Sequence, residues 1–166
     1  MTARYNFLGY LNYGFDDRRQ QQISLEDRDR YARALLTIAA ADGLSETERA
    51  YFANLSRAMD MPEELVARYL AYDPRSASLD ELLAPLRDRH PVPYLLYDAV
   101  KLASVDGYSE SERTRMADAA RALGAELEQL RALEGLVAAE NGVRQARLAL
   151  FAAMEATEGR GAKNLD

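Results

Sequence analysis

Ile38-Ala39-Ala40-Ala41-Asp42-Gly43-Leu44-Ser45-Glu46-Thr47-Glu48-Arg49 recurs 64 positions later as Leu102-Ala103-Ser104-Val105-Asp106-Gly107-Tyr108-Ser109-Glu110-Ser111-Glu112-Arg113. Each copy joins two stretches of helical apolar spacing, so each reads as a helix–turn–helix corner. Gly43 and Gly107 fall where the first helix must end, and glycine is the residue that takes the left-handed C′ position at least cost. Ser45 and Ser109 are N-caps of the helix that follows. Glu48 and Glu112 stand three residues on, which completes a capping box in both copies. Glu46 and Glu110 lie in the first turn, where the helix dipole favours an anion by ~0.3–1 kcal/mol. Ser24 with Asp27 and Ser78 with Glu81 repeat the start signal elsewhere.

Asp42 and Asp106 need a different account. Each ends a helix, at the negative pole of the dipole, where a carboxylate is disfavoured. Two offsets are open. The carboxylate can accept from the amides of its own turn, at Ser45 or Ser109, or it can meet a cation, arginine or metal. If the two halves pack about a pseudo-two-fold axis, Asp42, Glu46, Glu48, Asp106, Glu110 and Glu112 approach one another. Clustered hard oxygens suit Ca2+, Mg2+ or Mn2+. The EF-hand pattern of alternating acids with a distal glutamate is absent from the sequence.

Outward from the corners the chain is helical almost without pause. Tyr31, Leu35, Ile38, Ala39 and Asp42 share one helical face, a second helix spans about Glu46 to Ala58, and Pro62 opens a third carrying Leu65, Val66, Tyr69 and Leu70. A fourth starts after Ser78 and stops before Pro91. Ala53 matches Ala117, Arg57 matches Arg121, and Leu79 and Leu86 fall on Val143 and Leu150 at the same offset. The fold expected is all-α: one domain of about eight helices over residues 23–157, built from repeats at about 25–89 and 90–154. Residues 1–22 are read as an irregular arm, with Tyr5, Phe7, Tyr10, Tyr13 and Phe15 spaced by Gly9 and Gly14. Its aromatics either pack on the helical body or dock on a partner, a second copy or a membrane surface. Residues 158–166 are read as a flexible tail.

The 166 residues carry 21 basic and 27 acidic side chains, no cysteine, no tryptophan and a single histidine, His90. The lack of cysteine excludes thiolate chemistry and disulfides, one histidine excludes a His–His metal pair within the chain, and the net charge of −6 argues against nucleic acid. No apolar run reaches the ~18–20 residues of a membrane span. A cytoplasmic protein is expected, in contact with membrane at most peripherally from the inner face. His90 precedes Pro91 with no nucleophile or carboxylate pattern about it and reads as a loop histidine. Tyr31, Tyr51, Tyr69, Tyr72, Tyr94 and Tyr97 read as packing residues rather than a ligand pocket.

The double corner resembles that of TerB-like domains, the tellurite-resistance family of small helical bacterial proteins. The carriers are the two stretches quoted at the outset, and the resemblance covers roughly Leu25 to Met154, with Val105 standing where the family has alanine. It implies an all-helical fold of two related halves with an acidic face, and association with stress- or envelope-related complexes. Metal ligation by Asp42, Glu46, Glu48, Asp106, Glu110 and Glu112 is implied as well. The function expected is therefore that of a non-catalytic interaction or accessory module. Its acidic corners would bind a protein partner and a divalent cation. The alternative is an assembly subunit that docks on itself or a larger complex through residues 5–15.

Overall fold

A computed structural model describes residues 13–14, 22–39 and 43–161. Among these, seven α-helices and one 3-10 helix occur: α1 (Leu25–Ala39), α2 (Glu46–Ala58), α3 (Glu63–Leu70), α4 (Leu79–Leu83), the 3-10 turn Ala84–Arg89, α5 (Val92–Ala103), α6 (Glu110–Ala122) and α7 (Leu127–Gly161). No strand interrupts them among the described residues. The fold is all-α, as expected.

α1 and α5 form the centre. α1 buries Ala34, Leu35, Leu36, Ile38 and Ala39 along one face. α5 buries Leu95, Leu96, Tyr97, Asp98, Ala99, Val100, Leu102 and Ala103, which leaves it almost no exposed side; a helix apolar nearly all round belongs inside a domain. α2 contributes Phe52 and Ala53, α3 Val66 and Tyr69, α6 Met116 and Ala120, and α7 Leu130 and Val137. Phe52 and Tyr69 meet edge-to-face with centroids 6.0 Å apart.

Helix starts follow the 64-residue offset from α2 and α6 as far as α3 and α7. α2 and α6 are each 13 residues long and start at the same offset behind the same capping box, and α3 and α7 likewise begin in register. They then part. After α3 the chain turns through Tyr72-Asp73-Pro74-Arg75 and restarts at the Ser78 cap. Proline denies the helix a donor and pushes Asp73 out of the α region. The second half has Leu136-Val137-Ala138-Ala139 at those positions, with no breaker. One helix of 35 residues therefore replaces a helix, a turn and a second helix. Val143 and Leu150, matched by offset to Leu79 and Leu86, are exposed here, whereas Leu86 is buried. α7 also continues to Gly161, into the stretch expected as tail.

Candidate functional site

The capping boxes form at both corners. The Ser45 hydroxyl oxygen accepts from the Glu48 amide at 3.1 Å, and the Ser45 amide donates to Glu48 Oε2 at 2.7 Å. The same exchange at Ser109 and Glu112 spans 3.3 and 2.6 Å. Gly43 and Gly107 have φ of 90° and 130°, in the left-handed region that an L side chain resists.

The hydroxyl protons of the two caps go to different places. Ser109 Oγ donates to its own Glu112, 2.6 Å away. Ser45 Oγ instead donates across the molecule to Asp106 Oδ2, also at 2.6 Å. One serine thus caps α2 with its lone pair and ties the second corner with its proton, a double role that an ionised aspartate cap, which has no proton to donate, could not fill. The bond supplies a donor to Asp106, which stands three residues past the last residue of α5, Ala103, rather than ending the helix as expected. Asp42 lies outside the described residues.

The final arginine of each motif reaches the equivalent position of the next helix, by a different contact in each half. Arg49 Nη1 donates to the Leu70 carbonyl at 2.8 Å, at the end of α3. Arg113 reaches the position equivalent to Leu70 in the second half: its Nη1 is 3.9 Å from Glu134 Oε1, and its guanidinium lies 4.3 Å from the ring centroid of Tyr108. Tyr108 in turn donates to Glu134 at 2.8 Å. Each corner is thereby pinned to the helix that follows.

Of the six acids proposed as ligands, Glu48 and Glu112 have their carboxylates committed to caps, and Glu48 is only 5% exposed. Glu46 and Glu110 stand exposed in first turns, and Asp106 is exposed and bonded to Ser45. Among the described residues no three such groups converge as a metal cluster. A cleft of about 530 Å³ opens beside the first corner, lined in part by Leu44, Arg49, Tyr69, Tyr72 and Arg75.

A second polar centre lies outside both corner motifs. Asp98 sits in the middle of α5, 6% exposed. Tyr13 of the arm donates to it, 2.8 Å from both carboxylate oxygens, and Tyr31 of α1 donates to Oδ2 at 2.8 Å. The ring of Tyr13 meets Tyr94 and Tyr97 edge-on at 5.7 and 6.4 Å. Tyr97 donates to Glu140 of α7 at 2.7 Å, and Lys101 lies 3.6 Å from the same carboxylate. Burial raises the Asp98 carboxyl to about 6, against the lowering effect of its two tyrosine donors and Lys101. Burial also pushes the phenols of Tyr13 and Tyr31 up, and the Asp98 charge adds to the rise. The sequence signal was available: one acid at the centre of Tyr94-Leu95-Leu96-Tyr97-Asp98-Ala99-Val100, where a solvated face would have needed more polar residues. Of the arm's aromatics only Tyr13 is described, and it packs on the body; Tyr5, Phe7, Tyr10 and Phe15 lie outside the described residues.

The solved structure of a tellurite resistance protein from Nostoc punctiforme superposes with a TM-score of 0.76 at 25% identity, over 88% of this chain and 90% of that one. The chain has a TerB-like fold. No protein-family model matches the sequence, and no curated protein matches it. The resemblance drawn from the double corner is thus met at the level of the fold. No helix among the described residues is long and apolar enough to cross a membrane.

Proposed function

We propose that this chain is a non-catalytic accessory module of the tellurite-resistance type, whose joined corners form the docking face for a protein partner in a stress- or envelope-related complex. The observation that carries the reading is the Ser45–Asp106 hydrogen bond. It holds the start of α2 against the turn before α6, so the exposed acids Glu46, Asp106 and Glu110 belong to one joined region rather than to two unrelated ends. Such a region suits a basic partner surface, since charge complementarity steers encounter and sets register. The packed position of Tyr13 favours the corners over the arm as the docking element. The test is partner recovery from the native cell with Glu46→Ala/Asp106→Ala/Glu110→Ala beside wild type. Loss of a co-purifying protein with the helical signal intact supports the reading; unchanged recovery overturns it.

A divalent cation at the same corners is the second reading, favoured by Asp106 standing exposed at a helix C-terminus with a serine hydroxyl as its donor. Ca2+ or Mn2+ should then shift the amide signals of Ser45 and Asp106 together and raise the melting temperature by mass action. No response at millimolar ion removes this reading and leaves the partner reading standing.

A further inference from the structure

The heptad spacing that seats α7 on the body continues past the body. Leu130 and Val137 are buried, Leu133 packs against the core, and Glu140 accepts from Tyr97. The same seam then runs on as Arg144, Arg147, Leu148, Phe151, Met154 and Glu155, and every residue from 142 to 156 is exposed. That stretch projects for about 22 Å at 1.5 Å per residue. Phe151 is 51% exposed, Leu148 55% and Met154 54%, an apolar row that a lone helix in water has no reason to keep.

The row is palindromic about Phe151. Leu148 and Met154 lie three residues to either side, and Arg147 and Glu155 lie four to either side. Basic charge precedes the apolar centre and acidic charge follows it. A helix patterned in this way complements itself when reversed.

We propose that α7 pairs antiparallel with α7 of a second copy, about a two-fold axis through Phe151. The two Phe151 rings stack on the axis, Leu148 of each copy packs on Met154 of the other, and Arg147 of each faces Glu155 of the other. A parallel arrangement would set Arg147 beside Arg147 and Glu155 beside Glu155, so charge selects the antiparallel one. Two helices in contact over this length bury on the order of 1,000 Å², the small end of specific interfaces. An interface of that size makes a weak dimer that dissociates on dilution, and the proposal does not rest on the docking role of the corners.

The test needs no ligand and uses the full chain: light scattering behind gel filtration at about 100 μM, where a weak dimer is populated. Wild type should run as a dimer and Phe151→Asp as a monomer with unchanged helical signal. Arg147→Glu should weaken the dimer about tenfold or more, and Arg147→Glu/Glu155→Arg should restore it, because the swapped pair is complementary again. The chain has no cysteine, so Phe151→Cys should cross-link to itself on oxidation. A monomeric wild type, a dimer indifferent to Phe151→Asp, or cross-linking through Leu150→Cys in preference to Phe151→Cys would each overturn the pairing.

Discussion

Replacing Asp98 by asparagine isolates the cost of a buried charge. The Asp98 carboxyl titrates at about 6 in the fold against 3.8 for a free aspartate. Each pH unit between folded and unfolded values corresponds to 1.36 kcal/mol, so ionising Asp98 inside the protein costs about 3 kcal/mol. The sign follows from proton counting. Between pH 4 and 6 the folded state holds a proton that the unfolded state has released. The contribution is therefore fully present below about pH 4 and is lost as pH rises through 6. Asparagine has no such proton. The stability of wild type minus that of Asp98→Asn should fall by about 3 kcal/mol between pH 4 and pH 7.5, whatever its offset from the amide's own hydrogen bonding. Urea unfolding followed by far-ultraviolet circular dichroism at a series of pH values measures it. Glu63 and Glu81, whose carboxyls are lowered by Arg57 and by the Ser78 cap, titrate identically in both proteins and cancel. A difference that stays flat across this range would mean that Asp98 is solvated, and the closed tyrosine cluster described above would be wrong.

Tyr13→Phe removes one donor to Asp98 and should cost about 1.5–3 kcal/mol at pH 7, the range for hydrogen bonds to a charged group; the same variant should raise the Asp98 titration midpoint, read by carboxyl carbon NMR. Ser45→Ala and Ser109→Ala should each lose about 1 kcal/mol as caps are removed, and Ser45→Ala should in addition move the Asp106 amide signal, which Ser109→Ala should leave in place. Gly142→Ala, in the exposed part of α7 with nothing within 4 Å of an added Cβ, should stabilise by about 0.5–1 kcal/mol through helix propensity, measured as a raised melting temperature. Val137→Ala, at a position 1% exposed, should instead destabilise by roughly 1–3 kcal/mol through lost burial and a cavity.

The local rules are written along the chain. Glycine at 43 and 107, serine at 45 and 109 and glutamate at 48 and 112 specify a capped corner in both copies, because caps and positive-φ turns depend on residues only a few positions apart. The starts of α2 and α6 were legible for that reason, and so was the all-helical class. The end of the second repeat was not. Whether the chain turns after residue 134 or runs on depends on the absence of a breaker, and the offset that matched Val143 to Leu79 and Leu150 to Leu86 could not reveal that the first half has a body to bury them in and the second does not. Packing sets where the Ser45 proton goes, since Asp106 is 61 residues away along the chain and two identical capping boxes behave differently once packed. It alone placed Tyr13 and Tyr31 on Asp98. That carboxylate is buried because α5 is enclosed on every side, and enclosure is a property of the elements around a residue rather than of the residues beside it in the chain.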